Sequence, residues 1–261
     1  MTDSSTKRFL IVPCFNEANR LAPAEYWQQI EDYCVILVFV NDASTDSTAA
    51  TIHSMNLKSQ RTITIENNLG KANAIREGFL RIVRSMDIEY NESYIGFVDA
   101  DMAFSAQDIK RMFDLAEEGQ HEAVFASRVK LSGRNINRKR IRHIVGRGIM
   151  AFLSCSGFVI PYDSQAGLKV FRCTPKLMKC LEDQFETRWF FELELLLRFT
   201  RNFRGFLDVW EEPLLFWNET KGSKLFTMSS VSILFQLVSL FFQFFRVARW
   251  KTKKESNVSL T

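Results

Sequence analysis

The chain has 261 residues, 46% of them hydrophobic, enough to enclose one large α/β domain or two small ones. Its formal net charge is only +4, so overall charge names no polyanionic partner and a nucleic acid is not expected. Cys14, Cys34, Cys155, Cys173 and Cys180 form no Cys-x-x-Cys pair and are odd in number. His53, His121 and His143 lack metal-ligand spacing, so the sequence argues against a disulfide framework and for a reduced, cytoplasmic chain.

The opening "MTDSSTKRFL" has no apolar h-region, and no run of about 20 uninterrupted apolar residues reads as a membrane span. "RFLIVP" (8–13) and "VILVFV" (35–40) predict buried strands, as do "TITIE" (62–66), "YIGFVD" (94–99) and "AVFAS" (123–127). Each is short, β-branched or aromatic, and nearly continuous in apolar character. Over 70–86, Ile75, Phe79, Ile82, Val83 and Met86 recur on one helical face. "SAQDIKRMFDLAEEG" (105–119) predicts a helix from a capping serine to a closing glycine. This alternation predicts an α/β fold: a mostly parallel central sheet, helices on both faces, and ligands at the carboxyl ends of the strands.

Beyond it, residues 128–150 hold eight Arg or Lys and no acid: Arg128, Lys130, Arg134, Arg138, Lys139, Arg140, Arg142 and Arg147. That run reads as a phosphate-steering surface, a solvated basic loop or an anionic-lipid contact. "DSQAGLKVF" (163–171) follows, then a helix predicted from Thr187 to Arg201 and a strand-like "FLDVW" (206–210). Residues 1–225 are expected to form one catalytic domain and 226–261 a helical attachment. In that attachment Ser229, Ser232, Gln236, Ser239, Gln243 and Arg246 fall in one narrow stripe, with Arg249, Lys251, Lys253 and Lys254 after it. The pattern predicts an amphipathic helix lying on a membrane surface; a homodimer contact or packing on the catalytic domain are the alternatives.

Three polar clusters follow predicted strands and should meet on one sheet edge: "PCFNE" (13–17), "NDASTDS" (41–47), and Asp99 with Asp101. Two carboxylates at i and i+2 near a strand end suit Mg²⁺ or Mn²⁺, hard ions that share coordination with phosphates. Gly70 and Lys71 open a helix, where phosphate is also favoured, although no P-loop is present.

"IVPCFNEANRL", "VFVNDASTDST", "NNLGKANAIREGF", "GFVDADMAF", "ASR", "DSQAGLKVF", "RWFFELELL" and "FWNETKGSKL" occur in the order seen in inverting family 2 glycosyltransferases. The resemblance runs from about residue 8 to 226 and is strongest to the dolichyl-phosphate β-glucosyltransferases and polyprenyl-phosphate mannose synthases. It implies a GT-A fold that binds a nucleotide sugar, UDP-glucose first and GDP-mannose as the alternative. Pro13, Phe15, Glu17 and Asp42 would line the nucleobase and ribose pocket, with Lys71 beside it. Asp99 and Asp101 would hold a metal that bridges the donor diphosphate. Arg128 would face a phosphate, Gln165 and Lys169 would border the sugar and acceptor, and Lys224 would contact phosphate oxygens. Asn41 stands where the family often has Asp, and Ala103 where the mannose synthases carry Gln. The latter tilts the resemblance toward the glucosyltransferase branch. Ala72 and Asn73 replace glycines common after the lysine.

Asp101, Arg128 and Glu192 are thus the catalytic candidates. A lipid-phosphate acceptor is already anionic and needs cations rather than a strong base. A hydroxyl of a cell-surface glycan needs a general base, for which Glu192 is the placed candidate, although it equally well orders the acceptor loop. Glu194 is spaced to pair with Arg198. The expected enzyme is peripheral on the cytoplasmic face of a membrane. A catalytically silent nucleotide-sugar-binding scaffold is the alternative from another class.

Overall fold

The computed structural model describes residues 6–85, 88–137, 147–148, 150–155, 160–187, 190–203, 205–218 and 235–247. Seven strands form the central sheet: β1 (Arg8–Cys14), β2 (Val35–Asp42), β3 (Arg61–Ile65), β4 (Tyr94–Val98), β5 (Ala123–Ser127), β7 (Leu168–Arg172) and β8 (Val209–Pro213). Their order is β3-β2-β1-β4-β7-β5-β8. β1 to β4 are parallel where they pair, and β5 is parallel to β8; β7 alone runs against both of its neighbours. Two short strands, β6 (Asn135–Asn137) and β9 (Phe216–Asn218), pair separately.

The apolar runs are continuous because both faces of the sheet are covered. Alternate residues feed two cores. On one face Ile11, Val38, Val40, Phe97, Phe125 and Phe171 pack beneath α3 (Lys71–Ser85), α5 (Pro175–Cys180) and α6 (Phe191–Phe203). On the other, Leu10, Val12, Leu37, Phe39 and Val124 meet α1 (Ala24–Glu31), α2 (Thr48–Ser54) and α4 (Ala106–Glu118). Helix α3 buries Ile75, Phe79 and Ile82, at about 2 kcal/mol each. It sits close to β1, because a Cβ on Gly78 would lie 3.0 Å from the Ile11 side chain. Ser105 caps α4 by accepting the Asp108 N–H, and Gly119 closes the helix as expected.

Two predicted boundaries move. Helix α6 starts at Phe191 rather than Thr187, because Glu194 accepts the Glu186 and Thr187 N–H groups and the Thr187 hydroxyl. Those donors are spent outside the helix. Strand β8 lies at Val209–Pro213 rather than 206–210, because its register is set by β5, from Ala123 opposite Val209 to Ser127 opposite Pro213. Pro213 ends an edge strand, where no ladder donor is needed.

A further helix, α7 (235–247), lies on the first core. Leu237, Leu240 and Phe244 are buried in that core, while Phe235, Val238, Phe242 and Phe245 are exposed. Part of the expected polar stripe runs between these faces, where Gln243 donates to Ser239 Oγ at 3.2 Å. Among the described residues no helix is long and apolar enough to cross a membrane. Ser229, Ser232, Arg249, Lys251, Lys253 and Lys254 lie outside the described residues, as do Arg138, Lys139, Arg140 and Arg142 of the basic run.

Candidate functional site

The chain leaves β1, β2 and β4 at one sheet edge, and each exit passes through a non-glycine residue in the left-handed region: Asn16 (φ 51°), Ala43 (φ 56°) and Met102 (φ 55°). Such conformations are uncommon and collect at ligand-binding turns. Side-chain and backbone hydrogen bonds stitch the three exits together. Asn16 N–H donates to Ser44 Oγ at 3.1 Å, and Asn16 Oδ1 accepts from Thr45 N–H at 2.8 Å. Glu17 N–H donates to Thr48 Oγ1 at 2.8 Å, and Ala22 N–H to the Ala100 carbonyl at 2.8 Å. Thus "PCFNE", "NDASTDS" and the Asp99–Asp101 turn converge. Pro13 is half-buried and Phe15 exposed at this rim.

Asp42 is buried, and its carboxylate closes the loop ahead of α3. It accepts Leu69 and Gly70 N–H groups at 2.8 Å each and the Asn68 amide at 3.1 Å. Gly70, at φ 80°, makes this turn without a Cβ penalty. The loop then delivers Lys71.

Lys71 Nζ donates to Asp99 Oδ1. Burial works against the Lys71 charge, but its ion pair with Asp99, aided by Glu192 and Asp101, leaves its pKa raised. Asp101 Oδ2 accepts from Arg20 Nη2 at 2.9 Å, and Arg20 also reaches Glu17 at 3.4 Å. The two acids at the end of β4 are therefore neutralised by cations from two different elements. Gly167 makes room for Asp99, since a Cβ there would fall 2.0 Å from Asp99 Oδ2.

Behind this rim lies a buried polar layer. Strand alternation puts Lys169 of β7 on the same face as Phe97 and Phe125. Lys169 is fully buried, with Nζ 5.4 Å and 5.0 Å from those ring centroids. It donates to the Ala166 carbonyl and, at 3.3 Å, to Glu192 Oε1. Burial lowers the Lys169 pKa despite the nearby Glu192 charge. Gln165 Nε2 donates to the other Glu192 oxygen at 3.4 Å. Arg128 forms a fork on Asp163, at 2.8 Å from Nε and 2.7 Å from Nη2, with its own N–H adding a third bond at 3.0 Å. Its guanidinium also lies 5.3 Å from the Trp217 ring centroid. Burial opposes the Arg128 charge, yet Asp163, with Asp99 and Glu192 in electrostatic reach, raises its pKa. Glu211 in turn fixes Asp163 by accepting its N–H at 3.0 Å.

Asp99, Asp101, Lys71, Arg128, Gln165, Lys169 and Glu192 are thus brought together around one sheet edge. Lys169 and Glu192 face inward rather than toward solvent, and the predicted Glu194–Arg198 pair forms at 2.7 Å. Lys224 lies outside the described residues. Sequence reasoning missed Arg20, Asp163 and Gly167, although all three sit inside or beside quoted motifs. A lone Arg or Asp in a loop carries no periodic signal. Among the described residues no group of three or more His, Cys, Asp or Glu forms a metal cage.

The family model described as Glycosyl transferase family 2 matches residues 9–175. The dolichyl-phosphate beta-glucosyltransferase of Saccharomyces cerevisiae is 24% identical over 245 residues, spanning 83% of this chain and 68% of that protein. Among solved structures, glucosyl-3-phosphoglycerate synthase from Mycobacterium tuberculosis, in complex with Mn2+, uridine-diphosphate and phosphoglyceric acid, aligns with a TM-score of 0.62 at 16% identity, covering 92% of this chain and 80% of that one. S. aureus TarS 1-349 in complex with UDP-GlcNAc aligns with a TM-score of 0.57 at 14% identity, covering 90% and 65%. At these identities the structural likeness is one of fold.

Proposed function

The chain belongs to glycosyl transferase family 2, and from that premise we propose that it transfers a hexose, glucose from UDP-glucose, with inversion onto a polyprenyl or dolichyl phosphate. The observation that carries this reading is the pair of carboxylates at the end of β4, each facing a cation from another element. Such an arrangement suits the exchange of protein counter-charges for those of a bound diphosphate.

A divalent ion, Mg²⁺ or Mn²⁺, would be held by Asp99 and Asp101, and the donor set fits it. Both are hard oxygen ligands, Gly167 keeps Asp99 clear of a Cβ, and no third described acid, His or Cys completes a protein cage. Diphosphate oxygens and water would supply the rest, so affinity for the ion without nucleotide should be weak. Once bound, the ion would stabilise charge on the leaving nucleoside diphosphate. Pro13, Phe15, Glu17 and Asp42 would frame the nucleoside, and Lys71 would stand beside the phosphates.

The choice of a phosphate acceptor over a hydroxyl is supported by Glu192. The residue is 4% exposed, and both carboxylate oxygens already accept hydrogen bonds, from Lys169 and Gln165. A carboxylate committed in this way is a poor general base, and an anionic acceptor needs none. Arg128 and Lys224 would hold the acceptor phosphate, while Gln165, Lys169 and Glu192 would order that side. Work at the membrane surface, peripherally and on the cytoplasmic face, is supported by the exposed Phe235, Val238, Phe242 and Phe245 of α7 and by five free cysteines.

Incubation with polyprenyl phosphate and either UDP-glucose or GDP-mannose tests the reading. The expected product is an acid-labile, lipid-linked hexose formed from UDP-glucose in the presence of a divalent ion. Sugar found only in hydroxyl-linked glycan would overturn the acceptor assignment.

A further inference from the structure

Between α5 and α6 the chain crosses residues 181–187 as a strap whose backbone is satisfied mostly by side chains. Six successive carbonyls, from Cys180 to Phe185, each accept from a side chain. Arg198 donates to Cys180, Asp183 and Gln184, at 3.0, 2.7 and 2.5 Å. Arg76 donates to Leu181 at 2.7 Å, to Asp183 at 3.0 Å, and to Glu182. Asn73 takes the sixth carbonyl, that of Phe185, at 3.2 Å. It also accepts the Phe185 N–H at 2.8 Å. This reciprocal pair needs a donor and an acceptor on one short side chain, which an amide supplies and glycine or alanine does not.

Asn73 lies two residues after Lys71, in the first turn of α3. Its partner Phe185 is buried, with its ring 5.4 Å from that of Phe191, the residue before Glu192. A short chain of contacts therefore joins the cation facing Asp99 to the carboxylate facing Lys169. We infer that Asn73 is a positioning residue, fixing where Glu192 and the start of α6 stand relative to Lys71. The two sides of the site are then held at one separation. Its catalytic consequence rests on the proposed sugar transfer, whereas its structural consequence does not.

Two measurements separate those parts. Hydrogen exchange on the unliganded protein reads positioning directly. Losing both hydrogen bonds to Phe185 allows roughly a tenfold or larger rise in exchange. N73A is expected to show that rise at 185–187 and through 190–194, with β1, β2 and α4 unchanged. Unchanged exchange at 190–194 would overturn the inference. Steady-state turnover with UDP-glucose and polyprenyl phosphate supplies the second readout. N73A should lower kcat by about tenfold while the donor KM stays within twofold. N73D retains the acceptor but opposes the Phe185 carbonyl with an anion. It should be slower than N73A at pH 8, and its rate relative to wild type should recover as acid restores a donor. A wild-type kcat in N73A, or an N73D to wild-type ratio flat with pH, would overturn the role in turnover. A wild type that transfers no sugar would retire the functional reading and leave the exchange result to decide the positioning.

Discussion

The rim and the buried layer of the site solve the problem of placing charge at a sheet edge in opposite ways. At the rim, three strand exits hydrogen-bond to one another, and the pair Lys71–Asp99 keeps 28% and 37% of its side-chain surface exposed. In the layer behind, Lys169 and Glu192 keep 0% and 5%. Water shares the electrostatic work at the rim, so exposed pairs there contribute little to stability and their charges remain available to a ligand. The buried pair has lost that solvation and is held by its partners, which suits a frame better than a binding group.

Breaking the rim should be nearly silent for the fold and severe for turnover. Asp99→Asn, at the exposed pair, is expected to reduce kcat by about 10²–10³-fold, the scale seen on removing an electrostatic transition-state contact, with the thermal midpoint almost unmoved. Transfer assays alongside differential scanning calorimetry check this, and retained turnover would remove the metal assignment.

Breaking the layer should do the reverse. Lys169→Met strands Glu192 and is expected to destabilise the chain by about 3–5 kcal/mol, read as a shift of the urea midpoint. A shift under about 1 kcal/mol, within the range of an exposed pair, would erase the contrast between the two regions.

The same contrast has a pH signature. Burial lowers the Lys169 pKa in the folded state, so the unfolded chain binds the proton more readily. Stability from this group therefore rises as pH climbs from its folded pKa toward 10.5, the unfolded value. Lys71 has the opposite sign: its pKa is raised, and its contribution is full below 10.5 and lost as pH passes its folded value. Unfolding midpoints between pH 7 and 11 should lose the rising component in Lys169→Met and the falling one in Lys71→Met.

The smallest effect is expected on α7. Phe242→Ser should change stability by no more than about 0.5 kcal/mol, because the side chain is exposed, while weakening co-sedimentation with anionic vesicles. Unaltered vesicle binding would place the membrane contact elsewhere.

The rim was legible in the sequence because its residues follow strands that announce themselves by continuous apolar character. Asp99, Asp101 and Asp42 fall directly after such runs. The buried layer was harder to read. Lys169 sits in the middle of a strand, where its polarity looks like a solvent-facing position, and its environment depends on Phe97 and Phe125 from two other strands. Asp163 and Arg20 gain meaning only from partners 35 and 81 positions away in the chain. Helices α1 and α2 were missed because they have only 8 and 7 residues, too few to display a period. The displaced starts of α6 and β8 follow from long-range partners, Glu194 and β5, which local propensity does not encode.

The reversed strand β7 also divides the chain for anyone wishing to edit it. Six strands run with their last residues toward the edge that carries the site, whereas β7 brings its first there, immediately after Gln165, Ala166 and Gly167. Its other end, at Arg172, lies roughly 13 Å away, four steps along the strand. An inserted or deleted residue between 163 and 167 would act on Asp99 and Glu192 at once. The turn between α4 and β5, around Gln120, lies at the opposite edge, where a label or a split point would sit far from the chemistry.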